Sequence, residues 1–107
     1  MHKVKIKPLT VNKAWRGRRF KTNEYKVYEG ELLYMLPKMK IPAGKLRIKL
    51  VVGYSNKLSD IDNCLKPFID VLQKKYDFND KEIYKLEIEK EIVKKGEEFI
   101  EFELKPL

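Results

Sequence analysis

A chain of 107 residues, of which 43% are hydrophobic, is long enough for one globular domain with a modest core. The one cysteine, Cys64, excludes an internal disulfide and fits a reducing compartment, so we expect a cytoplasmic protein. The N-terminal residues lack the apolar block of a signal peptide, and no apolar run is long enough to cross a membrane. Because His2 is the only histidine, a Ser-His-Asp hydrolase, a catalytic thiol and a histidine-rich metal site are disfavoured.

The net charge of +8 is unevenly distributed along the chain. Residues 1–77 hold 18 lysines and arginines against 7 acids, a net +11, whereas residues 78–107 hold 6 against 9, a net −3. Such a basic excess is typical of proteins that bind a polyanion. A solvated basic surface on a small protein explains the charge equally well.

The first elements are a strand and a basic segment. Residues 3–7 alternate apolar residues with lysines, which predicts a strand that ends at Pro8. Residues 13–21 contain no acid and have Gly17 as a turn, so they predict a short hairpin or loop. Clustered cations with aromatic residues suit contact with nucleic-acid phosphates and bases, although the aromatic residues could instead fold back on the core. The candidate DNA-binding residues are Lys13, Arg16, Arg18, Arg19 and Lys21.

A helix capped by Thr22 or Asn23 is predicted next, ending near Leu36 before Pro37. Its apolar stripe consists of Tyr25, Tyr28, Leu32 and Met35 or Leu36. Alternation over residues 46–52 predicts a half-buried strand, and a loop then leads to Asp60.

The stretch from Asp60 to Leu72 predicts a helix preceded by two carboxylates. Four apolar residues repeat with helical spacing, namely Leu65, Phe68, Ile69 and Leu72. Asn63 can cap this helix, and Lys66 and Asp70, four residues apart and off the apolar face, can pair. Asp60 and Asp62 point the same way in an extended approach, and a hard metal ion would offset their repulsion. Alternatively, both acids are loop and cap residues that the helix dipole favours.

The C-terminal part predicts strands, with one ambiguity. Residues 81–93 fit a strand, but Lys90 breaks the alternation and a helix is also possible. Lys94–Glu97 predicts a hairpin turn, followed by a last strand over residues 100–104, which favours a strand on both sides of the turn. We therefore predict a single α+β domain over residues 1–107, with a mixed or mostly antiparallel sheet and two helices packed on it.

The central string, Asp-x-Asp-Asn-x-x-Lys-x-x-x-Asp-x-Leu, is followed by Phe78-Asn79-Asp80 and an apolar strand-like run. This arrangement resembles the RusA family of Holliday junction resolvases. The opening Pro8-Leu9-Thr10-Val11-Asn12 is similar to that family's Pro-x-Ser-x-Asn. The resemblance covers roughly residues 7–91; the central string is specific, whereas the opening string is weak.

The resemblance implies a Mg²⁺-dependent endodeoxyribonuclease that resolves four-way DNA junctions by paired phosphodiester hydrolysis, in DNA recombination and repair. It also implies a homodimer, in which Asp60, Asp62 and Asp80 bind Mg²⁺ and Lys66 is catalytic. The chain departs from the family at one position: the family often has two adjacent acids at the later site, and here Asn79 replaces the first.

The residues themselves suit the same chemistry. Three carboxylates can hold a hard cation, and Lys66 can stabilise the charge that develops on a phosphate. Asn63 and Asp70 are expected to support the site, with Asp70 orienting Lys66. The alternative for Lys66 and Asp70 is an ordinary surface ion pair, contributing roughly 0.3–0.5 kcal/mol.

The position of Asp80 raises a geometric question. A helix from Asn63 to Lys74 carries the chain ~18 Å from Asp62, and the next five residues span at most ~17 Å. Returning Asp80 to Asp62 within one chain is therefore tight, and a closed dimer could supply Asp80 from the partner subunit. Two other functions stay open: a non-catalytic basic nucleic-acid-binding module, and a structural or interaction module.

Overall fold

The computed structural model describes residues 1–16 and 20–107. The strands within them are β1 (His2–Val4), β2 (Trp15–Arg16), β3 (Phe20–Lys21), β4 (Leu46–Tyr54), β5 (Ile83–Ile92) and β6 (Phe99–Pro106). The α-helices are α1 (Val11–Ala14), α2 (Asn23–Met35) and α3 (Leu65–Tyr76), and one 3₁₀ turn covers Asp80–Glu82. None of the helices in the described part of the chain is both long enough and apolar enough to span a membrane.

Four strands form one mixed sheet in the order β1-β6-β4-β5. β4 pairs in parallel with β5, from Leu46 opposite Ile83 to Tyr54 opposite Ile92. On its other side β4 is antiparallel to β6, which in turn is antiparallel to β1. β2 and β3 form a separate antiparallel pair. The α+β class and the mixed sheet are thus confirmed, as is the strand pairing of the hairpin in the basic segment, while its predicted turn at Gly17 lies outside the described residues.

The core lies between one face of the sheet and the helices. β4 alternates buried and more exposed residues, and its buried members are Leu46, Ile48, Leu50, Val52 and Tyr54. Phe68 of α3 meets Phe102 of β6 edge-on, with 5.5 Å between ring centroids. The opposite face of the sheet carries charged residues such as Arg47 and Glu103, whose side chains form an ion pair at 3.2 Å. The domain is therefore two layers, with the helices on one side.

Helix α2 begins and ends as predicted. The Thr22 hydroxyl caps it by accepting a hydrogen bond from the Tyr25 amide at 3.2 Å. At the other end Leu36 is 3% exposed and Met35 is 37% exposed, so Leu36 completes the apolar stripe.

Helix α3 begins one residue later than predicted, and Asn63 is not its cap. Cys64 occupies the cap position and makes no side-chain capping bond. The Asn63 amide donates to the Asp60 carbonyl, and the Leu65 amide to the Asp62 carbonyl. These two turns use the residues before Leu65, so the helix starts only there. Its buried face is centred on residues 67, 68, 71 and 72, with Leu65 and Ile69 only half-buried.

Residues 83–92 form a strand, which resolves the ambiguity, but the predicted hairpin between β5 and β6 is wrong. β4 lies between these two strands, and the connecting residues cross its end, where the Val93 amide donates to the Tyr54 carbonyl at 2.8 Å. The cause is the crossover through α3, which places β5 parallel to β4 on one side. The other side of β4 is then left for β6.

Candidate active site

Asp60 and Asp62 lie in the turn that joins the end of β4 to α3. This is the carboxyl end of a strand in a β-α-β crossover, the edge at which parallel sheets commonly bind ligands. Both residues are exposed. Neither carboxylate has a hydrogen-bond or ion-pair partner among the described residues. Two uncompensated acids two residues apart can therefore take a cation from solvent.

Every backbone carbonyl of this turn accepts a hydrogen bond. We call residues 59–63 the acidic turn. Its five carbonyls accept in order from Lys90 Nζ at 2.7 Å, Asn63 N at 3.2 Å, the Tyr54 hydroxyl at 3.4 Å, Leu65 N at 3.1 Å and Val11 N at 3.0 Å. A backbone fixed in this way keeps the two carboxylates in place before any ligand binds.

The bond from Val11 to Asn63 brings the two sequence motifs together. Val11 belongs to the opening Pro-x-Thr-x-Asn string and starts α1, while Asn63 belongs to the central string. Asn63 therefore supports the acidic turn through its backbone carbonyl, instead of capping α3 with its side chain.

Lys66 is the second residue of α3, one turn after Asp62, and its side chain is 62% exposed. Its Nζ lies 3.5 Å from Asp70 Oδ2, so the predicted pairing is confirmed. The other oxygen of Asp70 accepts from Gln73 Nε2 at 3.3 Å, and Gln73 Oε1 accepts from the Asp80 amide at 2.8 Å. A polar chain thus runs along α3 from Lys66 to Asp80. Sequence analysis missed Gln73, although its spacing of three residues from Asp70 was a signal.

Asp80 lies at the opposite end of the sheet from the acidic turn. It starts the 3₁₀ turn before β5, and Asn79 caps that turn by accepting from the Lys81 amide at 3.0 Å. Because Ile83 is level with Leu46, nearly the whole of β4, about 25 Å, separates Asp80 from the acidic turn. One chain therefore does not bring Asp60, Asp62 and Asp80 together. No group of three or more acids, cysteines or histidines in the described part of the chain could hold a metal ion.

The donor set of the acidic turn nevertheless fits Mg²⁺. This cation prefers oxygen ligands and is commonly bound by one or two carboxylates together with water and phosphate oxygens. Asp60 and Asp62 supply two exposed carboxylates on a fixed backbone. Within the described part of one chain no third carboxylate joins them.

The basic segment is only partly described. Arg18 and Arg19 lie outside the described residues, and Arg16 pairs through its backbone with Phe20 in the hairpin. Lys13 is exposed on α1. Lys21 donates to Glu29 at 3.1 Å, so an acid does compensate one of the five predicted DNA-binding cations.

Glu29 is a residue that sequence analysis missed. It accepts from Lys21 of β3 and from Lys74 of α3 at 3.0 Å, and thereby ties the hairpin to both helices. Burial raises the pKa of Glu29, but the hydrogen bonds from Lys74 and Lys21 outweigh it, and the net pKa is lowered. The carboxylate therefore stays ionised and keeps both lysines.

Cys64, behind the acidic turn, is not a nucleophile. Its side chain is 1% exposed, and burial raises the pKa of the thiol. Burial also raises the pKa of the neighbouring Tyr54, whose neutral hydroxyl donates to the acidic turn. Both groups serve the packing beneath the carboxylates.

A cleft of about 530 Å³ reaches the acidic turn at Ser59 but does not include its two carboxylates. Residues 6–10, residues 54–56 with Ser59, and one face of α2 bound it. Its cations Lys7 and Lys13 face the acids Glu24, Glu31 and Glu98. Asp60, Asp62 and Lys66 lie outside this cleft, on open surface, where a polymer can reach them more easily than in a closed pocket.

Comparison of the sequence with models of known protein families finds no match, and comparison with curated proteins finds none either. The resemblance to the RusA family therefore stays a prediction from the two quoted strings.

Proposed function

We propose that the protein is a Mg²⁺-dependent, structure-selective endodeoxyribonuclease that cuts four-way DNA junctions in recombination and repair. The observation that carries the proposal is the exposed, unpartnered pair Asp60 and Asp62 on a fixed turn, one helical turn from Lys66. A net charge of +8 suits a polyanionic substrate.

Each residue of the site has a distinct task. Asp60 and Asp62 hold the metal, with Asp80 as the third carboxylate. When bound, Mg²⁺ supplies a Lewis acid that lowers the pKa of water and neutralises phosphate charge. The Lys66 ammonium donates to the scissile phosphate, where negative charge develops, and Asp70 steadies that ammonium from 3.5 Å. The cations of the basic hairpin bind the DNA backbone away from the cut.

The third carboxylate comes, in this proposal, from a second copy of the chain. β5 is an edge strand, unpaired on its outer side within the described residues. If two β5 strands pair antiparallel about a two-fold axis, the start of one lies beside the end of the other. Asp80 precedes the start of β5, and Ile92 at its end is level with Tyr54, which leads to the acidic turn. This pairing would bring the partner's Asp80 toward Asp60 and Asp62.

The side chains of β5 support such an interface. The helix-side face of β5 carries Leu86, Ile88 and Ile92, and of these Leu86 and Ile92 are exposed, as is Tyr84 near the start of the strand. The register partners of Leu86 and Ile92 on β4 are core residues, so the apolar core continues to this edge without a covering layer. A second copy would bury these side chains and occupy the free backbone groups of the edge.

A second function is favoured by one observation. Since one chain assembles no group of three metal-binding side chains among the described residues, a basic module that binds nucleic acid without cutting it remains the alternative. That module needs only the basic hairpin and no metal.

The test is incubation of the protein with a synthetic four-way junction, with and without Mg²⁺, followed by a denaturing gel. We expect paired cuts only with Mg²⁺. The double variant Asp60→Asn, Asp62→Asn should lose cleavage but keep or strengthen junction binding, because repulsion of the phosphates is removed. Glu101→Gln, on the outer face of the sheet, is the control for loss of negative charge.

Two outcomes would contradict the proposal. Salt-sensitive junction binding without cleavage in any divalent cation would favour the non-catalytic module. Junction affinity no higher than background would reject both functions.

A further inference from the structure

We propose that Lys90 is a positioning residue, whose ammonium fixes the peptide that carries Asp60 and so sets where the two carboxylates stand. The inference rests on the proposed function for its purpose, but its geometric part stands on contacts within the chain.

Lys90 occupies a position that the strand pattern assigns to an apolar residue. It lies on the same face of β5 as Leu86, Ile88 and Ile92, level with the buried Val52 of β4. A lysine there must place its ammonium among acceptors, because a charge left near the core without them is costly. The fold must therefore supply hydrogen-bond acceptors for Lys90, the residue that breaks the apolar alternation of β5.

The acceptors are two backbone carbonyls of the loop before the acidic turn. Lys90 Nζ donates to the Lys57 carbonyl at 3.1 Å and to the Ser59 carbonyl at 2.7 Å. The loop also closes on itself, since Asn56 accepts from the amides of Leu58 and Ser59. Among the described contacts of residues 57–59, the two from Lys90 are those that tie this loop to the sheet.

The bond to Ser59 acts directly on Asp60. The carbonyl of Ser59 and the amide of Asp60 belong to one planar peptide unit, which also contains the Asp60 Cα. Holding the carbonyl oxygen therefore restricts rotation of the whole unit. Without Lys90, this peptide loses its hydrogen bond to the sheet, and Asp60 is held less firmly relative to Asp62, whose own carbonyl stays bonded to Leu65. Loss of such a supporting contact typically weakens metal affinity by about 10–100-fold.

The test uses Lys90→Met, which keeps the length of the side chain but removes its donors, and Lys90→Arg, which keeps charge and donors. Lys85→Met is the matched control, because Lys85 lies on the opposite face of the same strand and its ammonium meets only Glu87, at 3.5 Å, in the described structure. Melting temperature is recorded for every variant.

Two readouts are made on the protein without DNA. The first is Mn²⁺ affinity, from paramagnetic broadening of the amide signals of residues 60–63. The second is hydrogen exchange of the amides of residues 57–61. We expect Lys90→Met to bind Mn²⁺ about 10-fold more weakly or worse, and to exchange faster in this segment. Lys90→Arg should restore part of both, and Lys85→Met should match the wild type.

Wild-type affinity and exchange in a folded Lys90→Met protein would overturn the inference, as would equal effects in Lys85→Met. If the wild type binds no Mn²⁺ at the acidic turn, the proposed metal site fails. In that case the exchange data still decide whether Lys90 holds the turn, and unchanged exchange would reject this too.

Discussion

The acids of this protein differ in what their carboxylates contact. Glu29 holds two lysines, Asp70 holds Lys66, and Glu98 accepts from the Ser55 hydroxyl and the Gly96 amide. Asp60 and Asp62 have no such partner in the described part of the chain, although they stand two residues apart. The proposed metal site rests on this pair, because two neighbouring like charges are stabilised by a cation.

At the level of single residues, Lys66 separates an enzyme from a simple binder. If its ammonium acts on developing charge, Lys66→Ala should lower the single-turnover cleavage rate by about 10²–10³-fold with little loss of junction affinity. Lys66→Arg should rescue only in part, since its head group is broader and longer. Rates are measured at saturating enzyme, with the melting temperature of each variant.

Lys49→Ala, exposed on the outer face of the sheet, controls for loss of one positive charge. A purely structural pair of Lys66 and Asp70 predicts a different result. Lys66→Ala and Asp70→Ala would then lower stability alike, by a few tenths of a kcal/mol, and cleavage would stay near normal.

At the level of elements, local patterns predicted α2, β4 and the basic hairpin, because caps, turns and periodicity act within a few residues. The start of α3 was missed because the two turns before Leu65, closed by the amides of Asn63 and Leu65, resemble a first helical turn in sequence. In the site, the grouping of Asp60, Asp62, Lys66 and Asp70 could be predicted from the sequence because these residues lie close together along the chain. The hydrogen bonds of Glu29 with Lys21 and Lys74, which we call the Glu29 clasp, could not be predicted from the sequence, nor could the bond from Lys90 to the acidic turn. In each case the partners lie on different elements of the fold.

The basic hairpin is expected to contact the DNA backbone. Changing Arg16, Arg18 and Arg19 together to alanine should weaken junction binding and reduce the slope of log affinity against log salt by about two to three, since each phosphate contact contributes ~0.9. The matched control changes three lysines of the outer sheet face, Lys49, Lys85 and Lys105. An unchanged slope in the arginine variant, or an equal fall in the lysine variant, would show that the hairpin is not the specific contact.

The Glu29 clasp makes the attachment of the hairpin depend on pH. The pKa of Glu29 is lowered in the folded state from the ordinary value of 4.5. Its stabilising contribution is therefore present above pH 4.5 and is lost as the pH falls through the lowered pKa. Glu29→Gln should lower the free energy of unfolding near neutral pH by about 1 kcal/mol or less. The free energy of unfolding of this variant should also fall less steeply on acidification than that of the wild type.

Thermal unfolding of both proteins between pH 7 and pH 3 measures this difference. Glu31→Gln, exposed on the same helix, is the control. Parallel pH profiles for the wild type and Glu29→Gln would mean that the clasp contributes nothing.

At the level of the whole molecule, the open question is which chain supplies Asp80. Subunits carrying Asp60→Asn and Asp62→Asn can be mixed with subunits carrying Asp80→Asn. If Asp80 acts across the dimer, a mixed dimer contains one site with all three carboxylates and one site with none. The mixture should then nick the junction in one strand, whereas each variant alone should be inactive.

If Asp80 acts within its own chain, every site in the mixed dimer lacks at least one carboxylate, and the mixture stays inactive. Co-purification of subunits that carry two different affinity tags verifies that the subunits have exchanged. A monomeric protein that cleaves the junction would reject the partner's Asp80 altogether.

The place of β6 in the sheet has a consequence for synthesis on the ribosome. Although β6 is the last strand along the sequence, it lies between β1 and β4 and brings Ile100 and Phe102 into the core. Until residues 99–106 have left the exit tunnel, β1 has no neighbour to pair with, and one side of β4 is unpaired. While residues 99–106 are still in the tunnel, we therefore expect this edge of β4 to stay unpaired and open to chaperones and proteases.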